Sequence, residues 1–362
     1  MQLVEVRTNK DRKRYIDFIY KVYKNDKNFS DMNLIFVKNF LYKKDSYAKR
    51  VNVIPLIVED SIPQSEKNEI KLVCMFISTE DSKELKLSFL EFLPNSEEYL
   101  KAIIEYGKKL LKELNLSKII VGINGQVSYG LGILVHGENN EFEFNANYNP
   151  AYYTKELDEV IKTKKRAFSY KYDASKTLNS FNKDLLSHIY DNFTFRYLDK
   201  KHFKKEMLIF GELCHKTLQK TPYYSEKTPF EMYELMKQMK FLIKKEDFIF
   251  VLKDGKEIGF IFTHPDFAEF FDKPKINYIK LGLRLFNERP KMVIYNVIGV
   301  LEEYQKEGVA VGLIDFSTKM RKPEFPQAVS SFILEDNVES TNLCKKISTG
   351  INKEFRLYEI EE

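Results

Sequence analysis

VIGVLEEYQKEGVAVGLI, residues 297–314, is the stretch of this 362-residue chain that decides its fold. An apolar run suited to a β-strand ends in a charged loop, Gly308 permits a tight turn, and a helix-like segment follows at once. The first turn of a helix leaves backbone N–H groups unpaired and carries a partial positive charge. Successive amides from Gln305 to Ala310 therefore predict a diphosphate-binding loop. An ordinary tight strand-to-helix connection is the alternative.

The residues around this stretch alternate between strand and helix patterns. Upstream, two apolar runs flank Asp254-Gly255, a dipeptide typical of a β-hairpin. Thr228, followed by proline and then by Glu231, has the spacing of a capping box at a helix start. We expect the following elements: strands at 248–253, 257–263, 292–301, 328–334 and 354–360, and helices at 203–218, 228–243, 308–320 and 340–347.

The first half of the chain repeats this order of elements, with a helix expected at 95–114 and capped by Asn95 or Ser96. The class is therefore α/β with mixed sheets. We expect two domains of similar layout, at 1–175 and 193–362. The polar residues 176–192 are the expected linker between them.

Several motifs in the second half resemble those of a known superfamily. Residues 305–310, QKEGVA, fit the Q/R-x-x-G-x-G/A signature of the GNAT acyltransferases. LEDN at 334–337, before a short helix, and EIGFIF at 257–262 resemble two further GNAT segments in the right order. The loop at 122–137 and NYNPAYY at 147–153 resemble a bacterial two-domain GNAT-like family, so the resemblance covers nearly the whole chain.

The resemblance implies two tandem GNAT-like domains, each a twisted mixed sheet flanked by helices. It also implies acetyl-CoA or another acyl-CoA as donor, with its diphosphate on the loop described above. The strands at 292–301 and 328–334 would splay apart, and the pantetheine would fill the gap like an added strand. The residues implied to bind the cofactor are Ile298, Gly299, Val300, Gln305, Lys306, Glu307, Gly308, Val309, Ala310 and Asn337.

The candidate acid and base depart from the superfamily pattern. Many GNAT enzymes carry a Tyr seven residues after the Asn, as general acid, and here that position is Cys344. Its alternative role is to fill a core. Glu302, with Glu303 beside it, ends the central strand and is the candidate base. Alternatively, Glu302 and Glu303 are solvated carboxylates of a surface loop.

The corresponding loop of the first half lacks the Q/R-x-x-G-x-G/A pattern. Pro94 removes one N–H, and Glu97 and Glu98 place carboxylates where phosphate would sit. We therefore predict no CoA in the first half. The glycine-bearing loop and the residues at 148–153 form either a wall of the acceptor cleft between the domains or a special turn with an aromatic anchor.

Composition excludes several classes of function. A net charge of +5 over this length lacks the dense basic stripe of a nucleic-acid-binding protein. Three cysteines far apart, with no Cys/His cluster, indicate neither disulfides nor a metal site. The sequence has no run of 18 apolar residues and no secretory h-region, so we expect a cytoplasmic protein without a membrane span.

We therefore expect an N-acyltransferase whose second domain moves an acetyl or longer acyl group from acyl-CoA to an amine by direct attack. The acceptor would be a small molecule or a peptide, and the protein a monomer or homodimer. The alternatives are a non-catalytic acyl-CoA sensor or interaction protein, a long-chain acyltransferase, and an aminoacyl-tRNA-dependent transferase.

Overall fold

The computed structural model describes residues 1–61, 68–137, 141–144 and 146–362, which fall into two compact units. The first unit comprises residues 1–167, 271–283 and 353–362, and the second comprises 168–270 and 284–352. Residues 176–192, the expected linker, lie within the second unit and form most of two helices there. Ile189 in this segment is fully buried, so it packs as core.

The first unit is a mixed sheet with helices packed on it. Its sheet runs β1-β2-β3-β4-β5-β14, where β14 (Gly350–Glu361) is the last strand of the chain and lies mostly in this unit, and β6 also pairs with β14. Only β4 and β5 are parallel among the neighbours in this order. The elements are β1 (Gln2–Glu5), α1 (Asn9–Val22), α2 (Leu34–Leu41), α3 (Ser46–Arg50), β2 (Asn52–Ser61), β3 (Asn68–Ser78), β4 (Glu84–Phe92), α4 (Glu97–Leu114), β5 (Lys118–Val121), β6 (Ile133–Val135) and α5 (Tyr152–Val160).

The second unit has the corresponding design. Its sheet runs β7-β12-β11-β10-β9-β8, β13 also pairs with β7, and β11 and β12 are parallel. The elements that follow α5 along the chain are β7 (Thr163–Asp173), α6 (Ala174–Asn179), α7 (Lys183–Asn192), β8 (Thr194–Tyr197), α8 (Phe203–Leu218), α9 (Pro229–Lys237), β9 (Phe248–Lys253), β10 (Lys256–Pro265), α10 (Tyr278–Asn287), β11 (Met292–Val300), α11 (Val309–Arg321), β12 (Gln327–Ser330), β13 (Ile333–Leu334), α12 (Val338–Ile347) and β14 (Gly350–Glu361).

Local sequence signals explain several of these elements. The β9–β10 hairpin turns at Asp254 and Gly255, whose φ angles of 50° and 76° are the left-handed values that such a two-residue turn needs. The capping box at α9 is present, with the Thr228 side chain accepting from the Glu231 N–H and Glu231 accepting from the Thr228 N–H. Helix α9 ends at Lys237, six residues before the expected end.

Aromatic residues dominate the core on one face of the second sheet. Phe210 of α8 packs edge-on against Phe248 and Phe260, at ring-centroid distances of 4.9 Å each. The opposite face buries Val309 and Leu313 of α11 against β9 and β10. Helix α11, which follows the central strand, is thereby fixed on the sheet.

Candidate functional site

The central strand of the second unit separates from its parallel neighbour. Strands β11 and β12 pair over only four residues, from Met292 opposite Gln327 to Tyr295 opposite Ser330. The Ser331 N–H donates to the Tyr295 carbonyl at 2.9 Å and closes this pairing. The expected single strand at 328–334 is in fact two strands, because β13 pairs with β7 instead of following β11. The gap implied by the resemblance is therefore present beyond Tyr295.

A bulge in β11 lies where the two strands part. Phe262 is opposite Val297 and Thr263 is opposite Tyr295, so Asn296 is an extra residue in β11. A bulge increases strand twist and turns the chain away from its partner. The Ser331 hydroxyl donates to the Asn296 carbonyl at 2.5 Å and holds the bulged residue in place.

Alternation of hydrogen bonding decides which backbone groups of β11 face the gap. The Leu301 N–H donates to the Ile258 carbonyl at 2.9 Å, so in this antiparallel ladder Gly299 also bonds toward β10. The backbone groups of Ile298 and Val300 therefore point to the side that β12 has left. Of these, the Val300 carbonyl already accepts from Gln305 Nε2 at 3.1 Å. The other groups remain for a strand-like ligand.

The helix start after β11 carries unpaired amides. A 3-10 turn at Glu302–Glu307 leads into Gly308, whose φ of 77° is left-handed. Within the described residues, the Gly308 N–H donates to no protein acceptor. The amides of Val309 and Ala310 begin α11 and have no partner inside it. A side chain at position 308 would also crowd Leu185, because a Cβ there would lie 2.9 Å from Leu185 Cδ1.

The other residues predicted to bind the cofactor differ in how far they are exposed to solvent. Lys306 is exposed and Glu307 is half-buried, both in the 3-10 turn. Asn337 is exposed at the start of α12, where its Oδ1 accepts from the Ser340 N–H at 3.1 Å. The visible role of Asn337 is therefore to cap a helix.

The two predicted catalytic side chains lie in different surroundings. The Glu302 side chain is exposed, and its ion pair with Lys220, at 2.6 Å, lowers the pKa of its carboxyl and so weakens it as a base. Cys344 is buried in a core cluster with Val293 and Ala328, and burial raises the pKa of its thiol. Both residues therefore fit the alternatives given for them, a solvated carboxylate and a core side chain.

Tyr172 is a residue that the sequence interpretation missed. Its hydroxyl donates to Cys344 Sγ at 3.1 Å, so a phenol lies beside the position that the resemblance assigns to the general acid. Burial raises the pKa of this phenol, which keeps it protonated. Tyrosine alternates with charged residues at 170–173, and this strand signal could have pointed to it.

The helix start of the first unit is filled by the protein itself. The carboxylate of Glu156, on α5, accepts from the N–H groups of Asn95 and Ser96 at 2.8 Å each. The sequence prediction placed Glu97 and Glu98 at this helix start, but both lie exposed on α4, and the carboxylate that the amides bond to is that of Glu156. In this unit a carboxylate occupies the anion position.

The glycine-bearing loop of the first unit lies against β5. Gly122 and Gly132 both have left-handed φ angles, and the Gly132 N–H donates to the Gly122 carbonyl at 2.6 Å. Asn147 Nδ2 donates to the Gly132 carbonyl at 2.7 Å, and Asn124 Nδ2 contacts Asn147 Oδ1 at 3.3 Å. These side chains brace the loop and also line a cavity of the same unit.

The described residues lack a metal-binding cluster and a membrane-spanning helix. They contain no group of three or more His, Cys, Asp or Glu side chains arranged to hold a metal ion. In the same part of the chain, no helix has the length and apolar character needed to span a bilayer.

The fold is that of tandem GNAT proteins. A tandem GNAT protein from the clavulanic acid biosynthesis pathway matches with a TM-score of 0.54 and 8% identity, over 99% of this chain and 98% of that one. A GCN5-related N-acetyltransferase from Sphaerobacter thermophilus matches with a TM-score of 0.51 and 7% identity, over 99% and 95% of the two chains.

A third structure has a similar fold, and it is a probable N-acyltransferase from Enterococcus faecalis. It matches with a TM-score of 0.52 and 7% identity, over 99% of this chain and 71% of that one. No family model matches the sequence, and neither does any curated protein. At identities this low, the structural matches establish the fold alone.

Proposed function

We propose that the second unit binds an acyl-CoA and transfers its acyl group, acetyl or longer, to an amine. The observation that carries the proposal is the parting of β11 from β12 next to a helix start with unpaired amides. The gap between the strands offers backbone hydrogen-bonding groups to an extended chain, and the helix start offers N–H donors to an anion. Acyl-CoA has both parts in one molecule.

The backbone of the site performs the binding and the activation. The amides of residues 305–310, those of Gly308, Val309 and Ala310 first, hold the diphosphate, and Lys306 adds positive charge at the rim. The pantetheine lies along Ile298 and Val300 and bonds to their backbone groups. An amide of this strand donates to the thioester carbonyl and stabilises the oxyanion that forms when the amine attacks. The thiolate then leaves, and the amine loses a proton.

Tyr172 is the proton donor that we assign to the leaving thiolate, in place of Cys344. Its phenol is buried and protonated, and it already donates to a sulfur atom, that of Cys344. A thiolate is a stronger acceptor than a thiol, so the same hydroxyl can turn to it.

A second candidate function is non-catalytic acyl-CoA sensing. The observation that favours it is that Glu302 is held in a surface ion pair and Cys344 is buried in a core cluster, an arrangement that suits binding without proton transfer. Release of free CoA separates the two candidates. A sensor binds acetyl-CoA and releases no CoA over a panel of amines, and an acyltransferase releases it with at least one of them.

Calorimetric titration with acetyl-CoA tests the binding that both candidates share. Gly308→Glu places a carboxylate among the amides, and we expect it to weaken binding by at least about tenfold. Gly255→Glu is the matched control, because Gly255 is also left-handed, at φ 76°, and has open space around it. Absence of binding by the unmodified protein at millimolar acetyl-CoA, or equal losses in both variants, would contradict the proposal.

A further inference from the structure

A cavity of about 70 Å³ lies in the first unit, where β4 parts from β5. The two strands pair only from Glu84 opposite Lys118 to Leu87 opposite Val121. Beyond this point β4 bulges, and Phe89 adopts a left-handed φ of 48°. A cavity of this volume accommodates roughly five water molecules, or a ligand of about as many heavy atoms.

One carboxyl group without a cationic partner faces this cavity. Glu91 lines it, and the Tyr153 hydroxyl donates to Glu91 Oε2 at 2.6 Å, while the Tyr23 hydroxyl donates to the Tyr148 carbonyl at 3.3 Å. The described residues that line the cavity include no Lys, Arg or His. Desolvation accordingly raises the pKa of Glu91 to about 7. A carboxyl in these surroundings lacks a counter-charge.

A second polar group in the cavity wall is unsatisfied. Ser30 is 1% exposed, lines the cavity, and its Oγ has no hydrogen-bond partner. Its side chain makes no capping bond to the short helical turn that follows it, so local structure does not require the hydroxyl. A buried hydroxyl of this kind normally has a partner. The missing partner is therefore best sought in the cavity.

The rest of the wall suits a small organic cation. Tyr23 and Phe29 stack with ring centroids 3.9 Å apart, and both line the cavity, as do Leu90 and Ile133. Aromatic rings attract ammonium groups, and the aliphatic side chains suit a short carbon chain.

We propose that this cavity binds a small primary ammonium compound, which donates to the Glu91 carboxylate and to Ser30 Oγ. An ammonium group has three donors and no acceptor, which matches a carboxylate without a cationic partner and a hydroxyl without a hydrogen-bond partner. The ligand supplies the counter-charge that the described wall lacks. This site is independent of acyl-CoA binding in the second unit, because it uses only residues of the first.

The test uses two probes of equal size, n-propylamine and 1-propanol, titrated calorimetrically into the full chain at pH 8. At this pH Glu91 is mostly ionised and propylamine is cationic. We expect propylamine to bind in the millimolar range and at least about tenfold more tightly than propanol, since only the amine carries charge. Equal affinity for the two probes, or heat from neither, would show a water-filled cavity and overturn the proposal.

Three variants locate the binding. Glu91→Gln keeps shape and removes charge, and we expect it to weaken propylamine binding at least about tenfold. Ser30→Val removes the hydroxyl and adds one methyl group to the cavity wall, at a residue whose extended backbone accepts a β-branched side chain. It provides a second route if Glu91→Gln fails to fold. Glu97→Gln, exposed on α4, is the matched charge control and should bind as the unmodified protein does. Unchanged affinity in both cavity variants places any binding elsewhere and rejects the site.

Discussion

Replacing Glu91 by Gln should make the first unit less sensitive to pH. Folding moves the pKa of this carboxyl from its ordinary 4.5 to about 7, because the group is desolvated beside Tyr153 and Tyr23. Between these two values the folded chain retains a proton that the unfolded chain has lost. Stability therefore falls as pH rises from about 4.5 to about 7 and is level above that.

The size of the effect follows from the two pKa values. A difference of about 2.5 at ~1.36 kcal/mol for each pKa unit amounts to about 3 kcal/mol at pH 8. Glu91→Gln keeps an acceptor for the Tyr153 hydroxyl and has no proton to lose. The variant should match the unmodified protein near pH 4.5 and exceed its stability by about 3 kcal/mol at pH 8.

The assay is urea denaturation from pH 4.5 to pH 8, together with hydrogen exchange at the amides of β3 and β4. Exchange reports opening of the first unit by itself, which the whole-chain transition does not separate. Glu97→Gln is the control for a surface charge change and should follow the unmodified protein at every pH. A stability difference that stays flat across the range would refute the desolvation of Glu91.

Three further outcomes follow from the site. Tyr172→Phe should lower the rate of CoA release by about 10²-fold or more and leave the affinity for acetyl-CoA unchanged, whereas Cys344→Ser should lower the rate far less. An equal loss of rate in the two variants would show that Tyr172 is not the proton donor. Glu302→Gln should leave turnover within about twofold, because an exposed, ion-paired carboxylate takes no part, and a large loss would restore it as the base. Glu156→Gln should destabilise the chain by about 1 kcal/mol, measured by urea denaturation, because an amide has one oxygen for two N–H donors; unchanged stability would contradict its capping role.

Signals that lie close together in the sequence predicted the local structure. The Asp254-Gly255 turn and the Thr228–Glu231 capping box each depend on neighbouring residues, and both are observed. The diphosphate loop is of this kind too, since Gly308 and the helix after it are adjacent in the chain. Its geometry is present, although its ligand stays a prediction.

Interactions between residues far apart in the sequence could not be predicted from local patterns. Glu156 reaches amides sixty residues earlier, and Tyr172 meets Cys344 across 172 positions. Nothing in the local pattern marks either pairing, because the packing of separate elements creates both. The division of residues 328–334 into two strands is similar, since it depends on where β7 lies.

The two units share one framework and differ in what fills it. Each has parallel central strands that pair over four residues and then part, with a bulge in the earlier strand. In the first unit Glu156 occupies the helix start and Glu91 faces the gap between β4 and β5. Both positions at which an acyl-CoA would bind therefore carry carboxyl groups. In the second unit the amide of Gly308 is unpaired and the backbone edge of Ile298 is open. Because like charges repel and bare amides attract anions, we propose that acyl-CoA binds in the second unit and not in the first.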